Sequence, residues 1–267
     1  MGGCEGSVTA SSIIEVKNVA KKFGGIRAVD DCSLQVAAGS VTGLIGPNGA
    51  GKTTLFNMVA GTFAPDNGQI LFQGEDITGL APHQLFGKGL LRTFQIAHEF
   101  SQMTALENLM VVATGQPGEH LSRTWFGRGQ VLSREQEVRR KAEEVIDFLK
   151  LGHVRTELAG NLSGGQKKLL ELGRTMMVDA KLVLLDEVAA GVNRTLLKDL
   201  ASNIERMNRE LGYTFFVIEH DMDLIGQLCD PVIVMAEGAV IAEGPMAELR
   251  QNPEIVEAYF GSAMELP

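Results

Sequence analysis

The sequence has no run of 18 or more apolar residues, which excludes a segment able to cross a bilayer unaided. Cysteine is scarce, and Cys4, Cys32 and Cys229 are odd in number with no C-x-x-C pair, so we expect reduced thiols in a cytosolic setting. A basic excess is missing too, since 33 acidic residues outnumber 24 Lys and Arg. The net charge of −9 argues against nucleic acid as the main partner, because phosphate contacts need clustered basic side chains.

Glycine, with 31 residues, is abundant, and three glycines stand in the string GPNGAGKTT at positions 46–54. This string fits the pattern G-x-x-x-x-G-K-[ST]. It lies between residues 41–45, an apolar run typical of a buried strand, and residues 55–60, which favour a helix. Such a loop wraps its N–H groups around phosphates, while Lys52 reaches the β and γ oxygens and the Thr53 hydroxyl holds Mg²⁺. The sequence therefore predicts a nucleoside triphosphate site at Gly46, Pro47, Asn48, Gly49, Ala50, Gly51, Lys52, Thr53 and Thr54.

A second glycine-containing string is LSGGQ at 162–166. Ser163 and Gln166 have the spacing of a capping box, which predicts a helix that begins at this serine. The exposed N–H groups of its first turn, beside Gly164 and Gly165, form another phosphate-binding end on a separate segment. Alone, the string fits an ordinary helix start; beside a phosphate loop, it favours a second contact to the nucleotide.

Two apolar runs end in polar residues. Residues 182–185 lead into Asp186 and Glu187, and residues 214–218 lead into Glu219 and His220. Because the carboxyl ends of parallel strands meet at one edge of a sheet, ligands bind there. We expect Asp186 to hold Mg²⁺ through water, Glu187 to polarise a water aimed at the γ-phosphate, and His220 to contact that phosphate.

The remaining segments predict further strands and helices. Short strands are expected within 13–36 and at 68–74, where apolar residues alternate between glycine-containing turns. A long helix is expected to begin at Ser133, which has a capping-box spacing, and to end at Gly152. Residues 194–211 favour an amphipathic helix whose inward residues are Leu197, Leu200, Ile204, Met207 and Leu211.

Together these strings resemble the ATP-binding subunits of ABC transporters. Residues 46–54 are similar to the Walker A motif of that family, 162–166 to its signature motif and 182–187 to its Walker B motif. Gln95 matches the Q-loop glutamine. Phe23, which by itself fits a base-stacking or a core aromatic about equally well, matches the aromatic that stacks on adenine.

The resemblance implies an ATPase that binds ATP and Mg²⁺. Its catalytic residues are expected to be Glu187, His220 (the switch histidine) and Gln95, and its metal ligands Thr53, Gln95 and Asp186. In the family each site closes between two subunits, head to tail. The nucleotide of one subunit is therefore expected to face the signature residues of the other, namely Ser163, Gly164, Gly165 and Gln166.

The resemblance covers almost the whole chain, and it implies one nucleotide-binding domain at 13–262. The first residues lack the basic region and apolar stretch of a secretory signal, so 1–12 is expected to be a flexible tail. The implied fold is α/β. It has a P-loop NTPase core with a mainly parallel sheet, an N-terminal antiparallel β subdomain, and a helical lobe inserted at about 82–178.

The strings that narrow the match point to the branched-chain amino acid uptake subfamily. They are RTFQ at 92–95, AAGVN at 189–193, IEHDM at 218–222 and NPEIVEAYFG at 252–261. The subfamily implies a peripheral subunit on the cytoplasmic face of the cell inner membrane. This subunit pairs with an identical or paralogous ATPase and powers uptake of branched-chain or other hydrophobic amino acids through separate integral membrane permease subunits, with no nucleic acid partner.

Other functions remain open at this stage. Urea/amide importers and lipopolysaccharide exporters share several of these strings. A soluble ABC-type ATPase acting on nucleic acid or ribosomes is an alternative of another class, opposed by the single cassette and the acidic charge. Val188 and Arg194 stand where proline is usual, and Leu169 where a basic residue is common. The departures at Val188 and Arg194 favour a non-hydrolysing regulatory subunit, which the intact Glu187 and His220 oppose.

Overall fold

The computed structural model describes residues 11–93, 99–113, 128–189, 194–253 and residue 255, and gives only the backbone at 128–130. Several predictions lie outside the described residues: most of the flexible tail at 1–12, the glutamine Gln95, four of the five residues of the string at 189–193, and most of the string at 252–261.

The described residues form ten strands and eight α-helices. The strands are β1 (Ser12–Phe23), β2 (Ile26–Ala37), β3 (Val41–Ile45), β4 (Asn67–Phe72), β5 (Glu75–Asp76), β6 (Leu90–Arg92), β7 (Leu182–Asp186), β8 (Thr214–Ile218), β9 (Val232–Ala236) and β10 (Ala239–Gly244). The helices are α1 (Lys52–Val59), α2 (Pro82–Lys88), α3 (Ala105–Met110), α4 (Arg128–Phe148), α5 (Gly164–Met177), α6 (Arg194–Leu211), α7 (Met222–Leu228) and α8 (Met246–Leu249).

An antiparallel sheet near the N-terminus has the strand order β2-β1-β4-β5. Ile14, Val16 and Val19 of β1 are buried, as their spacing predicts. The expectation of short strands within 13–36 is wrong, because β1 and β2 each contain 12 residues. Register shifts between these two strands interrupt the apolar alternation without ending the pairing, so the pattern made one long hairpin resemble several short strands.

The core sheet has six strands in the order β10-β9-β3-β8-β7-β6, all parallel except the edge strand β10. Every residue of β3, β7 and β8 is buried, which explains their continuous apolar sequences. The strands predicted at 41–45 and 214–218 are confirmed. Because β3, β7 and β8 are parallel neighbours, the residues that follow them meet at one edge of the sheet.

Helices α3, α4 and α5 pack on one another beside this sheet. Gly173 of α5 permits the close approach, since a Cβ there would lie 2.8 Å from a methyl carbon of Leu149, just after α4. The helix start predicted at Ser133 is wrong: α4 begins at Arg128 and Ser133 is an exposed residue inside it. No proline stands in the residues just before Ser133 to stop the helix from extending backwards.

Strand β6 falls within the range 82–178 that the sequence assigns to a helical lobe, but it pairs with β7 in the core sheet. In the described part of that range, β6 therefore lies between α2 and the helices α3, α4 and α5. No helix in the part of the chain that the structure describes is long and apolar enough to span a membrane.

Helix α6 has the bounds that the sequence predicts, 194–211. Leu200, Ile204 and Met207 are buried and Leu197 is half-buried, as expected. Leu211 is 49% exposed, so its assignment to the inward face is wrong. It is the last residue of the helix, where the chain turns towards β8.

Candidate nucleotide-binding site

The loop between β3 and α1 bends tightly, and two of its glycines are required by close backbone approaches. A Cβ on Gly46 would lie 2.1 Å from the carbonyl oxygen of Met235, and one on Gly51 2.3 Å from that of Ala28. Gly51 is also the N-cap of α1, with a φ of 97°. The first turn of α1 therefore directs backbone N–H groups towards any anion held by the loop.

A turn between β9 and β10 supports this loop from behind. The N–H of Gly238 donates to the carbonyl oxygen of Ala50 over 3.2 Å, and the carbonyl oxygen of Gly238 accepts from the N–H of Asp30 over 3.0 Å. One glycine thus connects the phosphate loop to β2 of the antiparallel sheet.

Lys52 places a cation inside the loop. Its side-chain Nζ donates to the carbonyl oxygens of Gly46 and Pro47 over 2.7 and 2.9 Å. Burial lowers the pKa of Lys52, while the negative charge of Glu187 opposes that shift. The loop therefore combines one buried ammonium group with the helix N–H groups, as binding of a polyphosphate requires.

An open cavity of about 350 Å³ lies in front of the loop. Residues 48–54 form one wall, residues 26–28 of β2 a second, and Glu187 and His220 a third. The structure therefore brings together segments that the sequence could place only at strand ends. The His220 Nε2 atom lies 3.1 Å from Glu187 Oε1, within hydrogen-bond distance.

Phe23 lies next to this cavity but does not line it. It ends β1 and pairs with Ile26, which does line the cavity. The Phe23 ring is half exposed and meets Phe63 edge-on, with 5.4 Å between ring centroids. This position leaves one side of the ring accessible for stacking.

Asp186, at the end of β7, is held by an arginine that the sequence analysis did not assign to the site. Its Oδ2 accepts from Arg92 Nη2 over 2.6 Å, and Arg92 Nη1 donates to Asn57 of α1. Arg92 thus joins β6, β7 and the helix that follows the phosphate loop. The only sequence signal for it was its place in the string RTFQ, three residues before Gln95.

Glu187 lies in a turn with a left-handed backbone, with a φ of 50°. The buried side chain of Glu219 is bonded to this turn through the N–H of Ala189, over 2.6 Å. Burial raises the pKa of Glu219, and the negative charge of Glu187 adds to this effect, although the N–H donors of Ala189 and His220 oppose it. The sequence analysis treated Glu219 only as a neighbour of His220.

The signature string begins α5 as predicted. Ser163 is the N-cap: its hydroxyl accepts from the N–H of Gln166 over 3.4 Å, and the Gln166 side chain accepts from the N–H of Ser163 over 2.9 Å. Gly164 faces open space, whereas Gly165 is buried, and a Cβ on it would overlap Leu196. None of the residues 162–166 is among those that line the cavity in front of the phosphate loop.

Comparisons with known proteins agree on one family. A family model described as ABC transporter matches residues 29–190. The probable branched-chain amino acid transport ATP-binding protein LivG of Archaeoglobus fulgidus is 42% identical over 250 residues, which cover 94% of this chain and 96% of that protein. The high-affinity branched-chain amino acid transport ATP-binding protein BraF of Pseudomonas aeruginosa is 37% identical over 251 residues, which cover 94% and 98%.

A solved structure gives the same result. The ADP conformation of MJ1267, an ATP-binding cassette of an ABC transporter, matches with a TM-score of 0.80 and 38% identity, covering 94% of this chain and 99% of that one. This chain therefore belongs to the ABC transporter family, as an ATP-binding cassette ATPase. The fold class predicted from the sequence is confirmed.

Proposed function

We propose that this chain is the peripheral ATPase subunit of an importer for branched-chain or other hydrophobic amino acids. The observation that carries the ATPase site is the cavity that the phosphate loop shares with the Glu187–His220 pair. The transport role is supported by the names of the Archaeoglobus and Pseudomonas relatives, which match this chain over more than nine-tenths of its length. The nucleotide-binding domain is proposed to span residues 13–262.

Hydrolysis is proposed to occur by attack of a water on the γ-phosphorus of ATP, which breaks the bond to the bridging β–γ oxygen and yields ADP and phosphate. Glu187 orients this water and accepts its proton, as a general base. His220 positions Glu187 and contacts the γ-phosphate, and Gln95 completes the catalytic set. Phe23 stacks on adenine, while residues 46–54 hold the phosphates.

Mg²⁺ is proposed to bind oxygen donors at this edge: the hydroxyl of Thr53, which lines the cavity, and, through water, the carboxylate of Asp186, which does not line it, with Gln95 as a further proposed ligand. When bound, the ion supplies positive charge next to the phosphoryl oxygens. The described residues contain no group of three or more His, Cys, Asp and Glu side chains that would bind a metal without the nucleotide.

A second ATPase subunit, identical or paralogous, is proposed to complete the site. The first turn of α5 offers the backbone N–H groups of Gly164 and Gly165 between the capping-box residues Ser163 and Gln166, yet none of these four residues lines the cavity of its own chain. A partner's signature turn closes the cavity from the front in this arrangement. Closure on ATP and opening after hydrolysis then drive permease subunits in the inner membrane, with this chain on their cytoplasmic face.

The ATPase site is tested with Glu187→Gln, which keeps the side-chain shape and removes the basicity. Turnover should fall by about 10²–10⁴-fold, while ATP binding is retained. Lys52→Ala should lose nucleotide binding instead, and Asp76→Asn on β5, whose carboxylate does not line the cavity, is the matched control. Near-normal turnover of folded Glu187→Gln would rule this residue out as the base.

The dimer is tested by gel filtration with ATP. Glu187→Gln should accumulate at doubled mass, and adding Gly164→Asp should prevent this, because the new carboxylate would face the partner's γ-phosphate. Gly164 is chosen over Gly165 because it faces open space, so the single chain stays unperturbed. Dimerisation of the double variant would contradict the shared site.

The transport role is tested by purifying the chain from membranes of its source with the attached subunits. Uptake of labelled leucine by vesicles containing that complex should require ATP on the side of the membrane where this chain lies. Uptake of urea but not of leucine would overturn the substrate assignment and leave the ATPase assignment standing.

A further inference from the structure

The turn that carries the proposed general base has a backbone conformation that needs support. Glu187 adopts a left-handed φ of 50°, which is unfavourable for a residue with a Cβ. Val188, the next residue, is buried, so the turn is packed on one side. A side chain at the start of such a turn keeps its direction only if neighbouring groups fix the backbone.

Three consecutive residues, the last of β8 and the two that follow it, fix this turn. The carbonyl oxygen of Ile218 accepts from the N–H of Glu187 over 3.0 Å. The carboxylate of Glu219 bridges two backbones, since Oε1 accepts from the N–H of Ala189 over 2.6 Å and Oε2 from the N–H of His220 over 3.1 Å. The ring of His220 then meets the Glu187 side chain over 3.1 Å.

Without these hydrogen bonds, the burial of the Glu219 side chain would be unfavourable. The residue is 3% exposed, and a carboxylate so deeply buried is costly unless it is hydrogen bonded. Burial and the charge of Glu187 both raise its pKa, so the site disfavours the anion. One of its N–H partners belongs to Ala189, two residues after Glu187, and the other to His220 itself, so each of its oxygens receives one donor.

We propose that Glu219 is a positioning residue for ATP hydrolysis: it ties Ala189 to His220 and thereby keeps Glu187 directed into the cavity. Glu219 does not line the cavity itself, so it acts through Glu187 and His220. This inference rests on the proposed role of Glu187 as the base.

Glu219→Gln is the primary test. The amide has the same shape, but its NH₂ group cannot accept a hydrogen bond, so one of the two backbone N–H groups loses its partner. We expect kcat to fall by roughly 10- to 100-fold, the effect of a small misplacement of a catalytic group, with KM for ATP changed by less than about twofold. The matched control is Asp76→Asn, whose carboxylate also accepts from a backbone N–H, that of Thr78 over 2.9 Å. Its kcat should be unchanged.

Two further variants separate positioning from a merely structural role. Glu219→Asp keeps the charge but is one methylene too short to span both N–H groups, so its kcat should also fall. The double variant Glu187→Gln/Glu219→Gln should be no slower than Glu187→Gln alone, because a residue that acts through Glu187 has no effect once the base is gone.

Turnover is measured per folded molecule, with the folded fraction taken from circular dichroism. If Glu187→Gln hydrolyses ATP like the wild type, the proposed function fails. If Glu187→Gln is inactive but Glu219→Gln matches Asp76→Asn in kcat, only the positioning role fails. If Glu219→Gln does not fold, wild-type kcat in Glu219→Asp would equally overturn the inference.

Discussion

Arg92→Ala should destabilise the chain more than the loss of an ordinary surface ion pair. The guanidinium of Arg92 joins two elements: it donates to Asn57 of α1 and, over 2.6 Å, to Asp186 of β7. The two charged side chains are only 20% and 10% exposed. Removing Arg92 would leave the carboxylate of Asp186 without this donor, and little water can reach the carboxylate to take the donor's place.

The magnitude follows from these contacts. Breaking a buried pair by removing one partner costs about 3–5 kcal/mol, and the partial exposure of both side chains reduces this to about 2–3 kcal/mol. Loss of the hydrogen bond to the side-chain oxygen of Asn57 adds about 1 kcal/mol to this cost. We therefore expect a loss of about 3–4 kcal/mol, and about 1–2 kcal/mol for Arg92→Lys, which keeps the charge but cannot reach both partners.

Urea unfolding of the nucleotide-free chain is the assay, and Arg27→Ala is the control. Arg27 also pairs with an aspartate, Asp30, over 2.8 Å, but its side chain is 57% exposed. That variant should lose at most about 1 kcal/mol. If Arg92→Ala costs no more than Arg27→Ala, the Arg92–Asp186 contact contributes nothing measurable and the reasoning is refuted.

Two other predictions concern the signature turn and the buried acid. Gly165→Ala should lower stability by about 1–3 kcal/mol, because the added Cβ would lie 1.5 Å from a methyl carbon of Leu196. Gly164→Ala, whose Cβ would meet no atom, should leave stability unchanged. Equal melting temperatures of the two variants would contradict the prediction. Because the pKa of Glu219 is raised in the folded chain, the folded chain binds more protons than the unfolded chain at pH values between the ordinary pKa of 4.5 and the folded pKa. The free energy of unfolding should therefore fall as pH rises through that window. Glu219→Gln should flatten this fall in urea midpoints measured against pH, and an unchanged slope would show that Glu219 does not cause it.

The strands of the core sheet could be predicted because their signal is local. Residues 41–45 and 214–218 are apolar throughout, and a strand buried on both faces requires nothing else. Glycines next to a lysine and two threonines likewise specify a phosphate loop from nine consecutive residues.

Helix starts show the limit of such reasoning. Ser133 and Ser163 have the same capping-box spacing, but only Ser163 begins a helix. The chain before Ser163 is held by contacts remote in sequence, since Leu158 bridges to Thr104 and the N–H of Ala159 donates to the carbonyl oxygen of Met103. These contacts fix the direction of the chain at Ser163, and no local pattern records them.

Arg92 and Glu219 could not be assigned for the same reason. Arg92 meets a carboxylate 94 positions later in the chain, and Glu219 meets the N–H of a residue 30 positions earlier. In the sequence each is an ordinary charged residue at a strand end. Each meets its partner only because the sheet order places β6, β7 and β8 side by side. Pairings of this kind follow from topology, which the alternation of apolar residues does not encode.

The support that Gly238 gives to the phosphate loop has a consequence for the order in which this chain acquires its structure during synthesis. Ala50 and Asp30 leave the ribosome long before Gly238, yet their backbone groups are bonded to that glycine in the finished fold. β3, which leads into the loop, also lies between β8 and β9, two strands made late. A nascent chain that stops short of these strands therefore carries the whole glycine-rich string but lacks the neighbours that shape it. Because such long-range contacts form slowly, we expect nucleotide binding to appear abruptly, after the segment containing Gly238 has emerged.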